Sequence, residues 1–191
     1  MEYLASDKIA IVDLGTRDIT EEELDEDLVL EKIGGVGITK HLYDRFKSAH
    51  PTENGPLVLG TGLLTGTLVP GSSLGVMTAK SPSTGKVSHV PLTLDAGAEL
   101  KYSGFDYIVI KGNAEKPVYL WIHDGIVDIN DAGDLWGKDT WAATDHIRNE
   151  MGDDLIQVLG IGSAGENGSD LAQMGINYWQ SADRFGFGKL C

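Results

Sequence analysis

VYLWIHDGIVDIN, residues 118–130, contains two runs in which apolar and polar side chains alternate, and Asp124-Gly125 lies between them. Alternation with a period of two is typical of a β-strand that is buried on one face. Glycine adopts the positive φ that a tight turn requires, so an Asp-Gly pair at this place is a strong hairpin signal. The stretch therefore predicts two antiparallel strands joined by a short turn.

Other strand-like runs share branched apolar residues and boundaries of glycine, proline or serine. They cover residues 9–14, 56–64, 73–79, 106–112 and 156–162. Several of the segments between them are too short for the regular helical crossovers that join parallel strands. We therefore expect a mixed or antiparallel sheet rather than a doubly wound one.

Three segments show the spacing of apolar residues that is typical of helices. A capping box of Thr20 and Glu23 predicts the start of the first. The second begins at Ile38 and extends no further than Pro51. Asp139 is expected to cap the third. Strands and helices together predict an α+β fold with about three helices.

The chain has no stretch rich in proline, serine or charge that would mark a linker, so we expect a single domain over residues 1–191. Its net charge is -14, with 29 acidic and 15 basic residues. Such a charge repels DNA, RNA and anionic lipid, which excludes nucleic acid and membranes as expected partners. The acidic run at residues 20–32 predicts a solvated helix face, with a partner-binding acidic patch as the alternative.

Cys191 is the single cysteine of the sequence. It excludes an internal disulfide and any cysteine-ligated zinc site or iron–sulfur cluster that this chain would build alone. Such sparing use of cysteine predicts a cytoplasmic protein. No run reaches the roughly 18 apolar residues that a membrane span needs, and the first residues do not resemble a signal peptide.

Several side chains that are capable of chemistry have a simpler structural interpretation. His89 has no partner at metal-ligand spacing, so we expect a surface or hydrogen-bonded residue. Glu99 and Lys101 predict a structural ion pair. Three aromatic residues are expected in the core: Trp121, Trp136 and Trp141. The sequence thus predicts no catalytic residue and no metal ligand.

Five stretches resemble, in this order, the N-terminal domain of the tungsten-dependent aldehyde ferredoxin oxidoreductase family: GTGLLTGT, AKSPSTG, GAELKYSGFDYIVIKGNAEKPVYLWI, DAGDLWGKDTW and IGSAGEN. The resemblance implies a β-rich saddle of two similar mixed-sheet halves. In that family the saddle carries tungsten held by two pyranopterins, whose phosphates share a magnesium ion. Later domains supply the iron–sulfur cysteines and the substrate channel.

The loop SADRFGFG, residues 181–188, matches the family loop that touches the pterins. The resemblance implies cofactor-binding positions at five residues: Ser181, Ala182, Arg184, Gly186 and Gly188. Small residues free backbone amides to cradle phosphate oxygens, and an arginine can add a charge-assisted pair.

The sequence departs from the family in the loops that contact the cofactor. Val36 and Leu74 stand where the family has basic residues, Asp183 stands where it has glycine, and PLTL at residues 91–94 replaces a stretch of small residues. Five apolar side chains of these loops are expected to line the saddle face: Leu74, Leu92, Leu94, Phe185 and Phe187. Ligand motifs are lost while scaffold motifs are kept.

Two functions follow from this pattern. In the first, the chain is a non-catalytic scaffold or interaction subunit that binds no cofactor by itself and associates with its own copies or with a second polypeptide. In the alternative, it is the tungstopterin-cradling subunit of a split oxidoreductase. That enzyme would oxidise aldehydes to carboxylic acids, with ferredoxin as electron acceptor. Arg184 and its neighbours would then contact a tungsten bis-pyranopterin with magnesium.

Overall fold

The centre of the fold is a six-stranded mixed sheet. The structure, a computed structural model, describes residues 7–49 and 55–191. The strands are β1 (Lys8–Asp13), β2 (Asp18–Glu23), β3 (Leu57–Gly60), β4 (Gly75–Lys80), β5 (Val87–Leu92) and β6 (Tyr107–Lys111). They lie in the order β2-β1-β6-β3-β4-β5, in which β1 and β6 are parallel and all other neighbours are antiparallel. The predicted mixed sheet is confirmed.

Two strand pairs and five helices accompany the sheet within the described residues. β7 (Val118–His123) pairs with β8 (Ile126–Asp131), and β9 (Leu159–Gly160) pairs with β10 (Gly175–Ile176). The helices are α1 (Glu26–Lys32), α2 (Val36–Phe46), α3 (Ala96–Tyr102), α4 (Thr140–Met151) and α5 (Ser163–Glu166). The α+β class is confirmed. More helices occur than the three expected, because α3 and α5 are too short to show helical spacing.

The hairpin predicted for residues 118–130 is confirmed. β7 and β8 are antiparallel, with His123 opposite Ile126 at the closed end. The turn residues Asp124 and Gly125 have φ values of 45° and 75°. Two positive φ angles in a two-residue turn are the requirement of a type I′ hairpin, whose twist matches the twist of the strands.

The capping box predicted at Thr20 is wrong. Thr20 lies in β2, opposite Ile11 of β1. Helix α1 begins later, at Glu26, and the side chain of Asp25 caps it by accepting a 2.9 Å hydrogen bond from the backbone N–H of Asp27. The first four residues of the acidic run are therefore part of an edge strand, because pairing with β1 outweighs a local capping signal.

The ends of α2 and α4 agree better with the sequence patterns. Helix α2 ends at Phe46, and Pro51 lies outside the described residues. Asp139 caps α4 as predicted, since its side chain accepts a hydrogen bond from the backbone N–H of Ala142 at 2.8 Å. Gly152 ends α4 in the left-handed conformation. Within residues 7–49 and 55–191, none of the helices combines the length and the apolar character that a membrane span requires.

Apolar cores cover both faces of the six-stranded sheet, because the side chains of each strand alternate between the two. On one face Val58 and Val109 contact the cluster that contains Ile38 and Leu42 of α2. On the other face lies the larger cluster, which includes Phe105, Phe187 and the inward side of the hairpin. Phe187 is fully buried there, so the end of the chain is part of the core.

The sequence pattern did not predict strand β5, because Pro91 lies within it. The strand is an edge of the sheet, where a residue without an N–H group removes no necessary ladder bond. Val90 and Leu92 are buried in the core. The stretch at residues 91–94, predicted as an altered cofactor loop, therefore supplies a core residue and leaves Leu94 as its exposed apolar side chain.

Two of the three tryptophans predicted in the core lie at the surface. Trp136 and Trp141 are each about half exposed. The ring of Trp141 contacts that of Tyr178, with centroids 4.7 Å apart. The buried face of α4 is formed by Thr144 and Ile147 instead, because the first turn of α4 lies beside the loop that contains Tyr178.

We predict that Gly97→Ala lowers the free energy of unfolding by about 1–3 kcal/mol, the usual cost of overpacking. A Cβ at Gly97 would lie 2.1 Å from the backbone N of Gly75, which neither backbone can accommodate in place. Urea denaturation measures the change. Gly160→Ala is the control: its Cβ would meet nothing within 4 Å, and a cost within about 0.5 kcal/mol is expected. Equal losses in both variants would contradict the prediction.

Candidate functional site

The loop at residues 181–188 closes on itself through a buried carboxylate. Asp183 is 1% exposed. Its Oδ2 accepts a hydrogen bond from the backbone N–H of Met174 at 3.0 Å, and its Oδ1 accepts one from Phe185 at 2.8 Å. The N–H of Asp183 donates to Ser181 Oγ, which donates to the carbonyl of Met174. Asp183 therefore holds this loop against Met174, the residue before β10, rather than facing a ligand.

The glycines of this loop permit close packing against the chain segment at residues 170–173. Gly186 has a φ of 81°, and a Cβ there would lie 2.1 Å from the carbonyl oxygen of Asp170. A Cβ on Gly188 would lie 2.6 Å from the carbonyl oxygen of Gln173. The N–H of Gly188 donates to Ala172 at 3.0 Å. Both glycines are buried, so packing within the chain already explains them.

Arg184 is the cation that the loop presents to solvent. Its side chain is exposed and makes no hydrogen bond or ion pair with the described residues. The neighbouring Lys189 is paired with Asp170 at 2.5 Å. Behind Arg184, the carbonyl of Phe185 accepts hydrogen bonds from Ser81 Oγ at 2.6 Å and from a second serine of the β4–β5 turn. The loop is thus fixed at the end of β4, with one guanidinium free.

The other positions where the sequence departs from the family pattern lie at the opposite end of β4. Leu74 immediately precedes β4, Val36 is the first residue of α2, and Leu94 precedes α3. Their exposed fractions lie between 42% and 49%. A strand of six residues spans roughly 20 Å, so the structure does not bring these three side chains next to Arg184.

The predicted apolar face is partly wrong, because two of its five members belong to the core. Leu92 and Phe187 are 1% and 0% exposed, and Phe185 packs against the same core cluster. Their burial follows from strand β5 and from the closed terminal loop, neither of which has a periodic sequence signal. Leu74 and Leu94 alone remain exposed as predicted.

The ion pair predicted between Glu99 and Lys101 is also wrong. Residues two apart on a helix point to different sides. Lys101 Nζ donates to the carbonyls of Gly62 and Leu63 at 3.0 and 3.1 Å and lies 3.6 Å from the carboxylate of Asp106. Glu99 points away, and burial raises its pKa, with the nearby carboxylates adding to the effect.

His89 is hydrogen-bonded, as predicted. Its Nδ1 lies 2.9 Å from Thr78 Oγ1, which lies 2.7 Å from Thr39 Oγ1. Both threonines are fully buried between α2 and the sheet. Burial lowers the pKa of His89, and the nearby Lys40 ammonium lowers it further. Within the described part of the chain, no three histidine, cysteine or acidic side chains form a group that could hold a metal ion.

Comparison with known proteins shows to which protein family this chain is related. A family model described as "Aldehyde ferredoxin oxidoreductase, N-terminal domain" matches residues 9–191. The chain belongs to the aldehyde ferredoxin oxidoreductase family. It is 37% identical over 185 residues to the tungsten-containing aldehyde ferredoxin oxidoreductase of Pyrococcus furiosus, a match that covers 94% of this chain and 30% of the relative.

Other relatives of this family carry different names. The WOR-like subunit of an aliphatic sulfonate oxidoreductase from Pyrococcus furiosus is 30% identical over 206 residues, covering 98% of this chain and 33% of the relative. Among solved structures, the active-site complex BamBC of benzoyl-coenzyme A reductase, determined with 1,5-dienoyl-CoA, superposes with a TM-score of 0.87. It is 30% identical and covers 98% of this chain and 29% of that one. The chain spans about 30% of the length of the curated relatives it matches.

The described residues do not fit the cofactor that the family resemblance implies. Two pterin phosphates bring several negative charges, which need cations or free amides nearby. In the terminal loop the amide of Phe185 is taken by Asp183 and that of Gly188 by a backbone carbonyl, so Arg184 is the exposed cation that the loop offers. At the other end of β4, Val36, Leu74 and Leu94 present hydrocarbon.

The role of Asp183 escaped the sequence patterns, although a signal for it was present. An aspartate whose side chain binds the amide two residues later forms a local turn, and Phe185 stands at that distance. The second bond, to Met174, depends on the fold.

We predict that Asp183→Ala lowers the free energy of unfolding by about 2–4 kcal/mol, because it leaves two amides without an acceptor and removes charge-assisted bonds. Chemical denaturation measures the loss. Asp134→Ala, at an exposed aspartate, is the matched control and should change stability by less than about 0.5 kcal/mol. If Asp183→Ala is as stable as the control, the loop is not held by this carboxylate.

A second prediction concerns two histidines. The pKa of His89 lies below the usual value of about 6.5, whereas hydrogen bonds to Asp124 and Asp128 raise the pKa of His123. NMR titration should therefore give midpoints on opposite sides of that value. The contribution of His89 to stability is present above about pH 6.5 and lost as the pH falls through its folded-state pKa. The contribution of His123 is present below about pH 6.5 and lost as the pH rises through its folded-state pKa. Midpoints in the reverse order would contradict the structure.

Proposed function

We propose that this chain is a non-catalytic scaffold or interaction subunit of the aldehyde ferredoxin oxidoreductase type, formed as a single domain, and that it holds no pterin by itself. The family relationship gives its lineage. Its chemistry differs from that lineage in the loops where the resemblance implies cofactor contacts. A reducing cytoplasmic location agrees with its single cysteine.

One observation carries the proposal: several groups of the terminal loop that a cofactor would contact are used within the chain. The carboxylate of Asp183 occupies amide donors of Met174 and Phe185, and Gly186 and Gly188 are packed against carbonyl groups. In this state the amides of Phe185 and Gly188 are not available to phosphate oxygens. Rearranging it would leave a buried carboxylate without partners, which costs several kcal/mol.

Electrostatics supports the same function. The chain carries a net charge of -14, so an anionic cofactor would need local cations to offset the repulsion. The exposed side chains of Val36 and Leu74 supply none. A partner protein, in contrast, can cover exposed apolar side chains with a gain in free energy.

The second candidate is the tungstopterin-cradling subunit of a split oxidoreductase. Arg184 favours it, because a free guanidinium on a loop that matches the family's pterin-contacting loop is available for an anion. The relatives are about three times as long as this chain, and a second polypeptide would have to supply what the remainder of those relatives contains. In this case the bound cofactor would supply the chemistry that oxidises an aldehyde, and Arg184 would orient the cofactor.

We predict that the chain, purified from a host that makes pyranopterin and is supplied with tungstate, contains far less than one equivalent of tungsten or molybdenum. Mass spectrometry of the metals and fluorescence of the oxidised pterin are the measurements. A full-length tungsten-containing relative from the same host is the control for cofactor supply. Stoichiometric metal in the wild type that is lost in Arg184→Ala would overturn the proposal and establish the second candidate.

A further inference from the structure

A line of polar groups runs through the interior between the sheet and α2, from the edge strand β5 to the first turn of the helix. His89 Nδ1 lies 2.9 Å from Thr78 Oγ1, which lies 2.7 Å from Thr39 Oγ1. Thr39 Oγ1 lies 3.4 Å from the carbonyl oxygen of Val36, the first residue of α2. We call the His89 ring, the two hydroxyls and this carbonyl the relay. Both threonines are fully buried, so water does not compete for their hydroxyls.

The relay can run in two directions, because each threonine hydroxyl has a single proton to donate. When Nδ1 of His89 carries no proton, it accepts from Thr78, and Thr78 accepts from Thr39. The proton of Thr39 is then used, and the carbonyl of Val36 receives nothing from it. When Nδ1 carries a proton, it donates to Thr78, Thr78 donates to Thr39, and Thr39 donates to Val36. The state of one ring nitrogen therefore sets the direction of the whole relay.

The distances match the first direction for a neutral ring. The contacts at 2.9 and 2.7 Å have ordinary hydrogen-bond lengths, whereas 3.4 Å between Thr39 and Val36 is long for a hydroxyl donor. The first direction uses the two short contacts and leaves the long one unused. It places the proton of neutral His89 on Nε2. A protonated imidazole has a proton on both nitrogens, so it permits the second direction alone.

The surroundings of His89 keep the ring neutral near pH 7. Burial is the larger cause of its lowered pKa, and the Lys40 ammonium adds to the effect. The neighbouring ionisable side chains are Lys40, Tyr43 and Asp44 of α2, Lys47 directly after it, and Lys80 of β4. Asp44 pairs with both Lys40 and Lys47, so it does not face His89 as a free carboxylate. The His89 side chain is half-buried on an edge strand, where protons from solvent can reach it.

We propose that protonation of His89 reverses the two hydrogen bonds of the relay and creates a third, from the hydroxyl of Thr39 to the carbonyl of Val36. The added proton stays on the ring, and the two hydroxyls turn about their C–O bonds, so no proton moves along the relay. A threonine that bonds a carbonyl of the preceding helical turn bends a helix slightly. A change at the edge of the sheet is thereby passed to the start of α2. The inference does not depend on the proposed function.

Nitrogen-15 NMR of the labelled wild-type chain tests the first half of the proposal. Long-range proton–nitrogen spectra show which ring nitrogen carries the proton. We expect neutral His89 to be protonated at Nε2 and bare at Nδ1, and we expect both nitrogens to be protonated below its folded-state pKa. A neutral ring with its proton on Nδ1 would overturn the proposal, because protonation would then leave the direction of the relay unchanged.

The carbonyl carbon-13 shift of Val36 tests the second half. In the wild type it should change with pH at the same midpoint as the His89 ring. Thr39→Val removes the last donor, so the Val36 signal should no longer follow His89, although the ring itself still titrates. Thr39→Ser keeps a hydroxyl and should restore the response. Circular dichroism verifies that both variants are folded, and the tautomer measurement on the wild type needs neither of them.

Thr67→Val is the matched control. The hydroxyl of Thr67 also donates to a carbonyl three residues earlier, that of Leu64, but at an exposed position outside the relay. This variant should leave the pH response of Val36 as it is in the wild type. A Val36 signal that ignores the titration of His89 in the wild type contradicts the proposal. A signal that follows His89 equally in Thr39→Val does so as well.

Discussion

Close contacts at three glycines hold two helices and two strands together at one end of the six-stranded sheet. A Cβ on Gly97 of α3 would lie 2.1 Å from the backbone N of Gly75, and one on Gly75 would lie 2.9 Å from the carbonyl oxygen of Gly60. A Cβ on Gly60 would in turn lie 2.4 Å from Thr39 of α2. Two helices and two strands can approach this closely because no side chain separates them. The loops that leave these elements are consequently held side by side.

The sequence predicted the elements whose signals are local. The hairpin at residues 118–130 combines strand alternation with a turn that needs positive φ, and α4 has both a capping aspartate and a terminal glycine. Strands β2 and β5 each pair with the strand that precedes them in the chain, but Pro91 in β5 and the acidic residues of β2 conceal the strand pattern. A capping box at Thr20 has the correct spacing, but pairing of β2 with β1 decides the outcome. An edge strand that owes its conformation to pairing with its neighbour does not need residues of high strand propensity, so such residues are a poor guide to it.

The candidate site was harder to predict than the fold, for a similar reason. Residue types in the terminal loop suggested an open cradle, because glycine and arginine are typical of anion sites. The structure shows that the same glycines permit close contact with the carbonyls of Asp170 and Gln173, and that Asp183 is buried. Composition alone does not distinguish a glycine that admits a ligand from one that admits a neighbouring backbone. Only the direction of the amides does so.

Pro91 lies in β5, one of the two outer strands of the six-stranded sheet. Proline has no N–H with which to continue a ladder, so this edge is a poor template for a further strand. The opposite edge, β2, carries four acidic residues out of six, and charge there has the same effect. Both borders of the sheet thus discourage growth by backbone pairing, the route by which strands build open-ended fibres. The two edges are consequently poor templates for the edges of another copy, so any contact between copies has to be made by side chains.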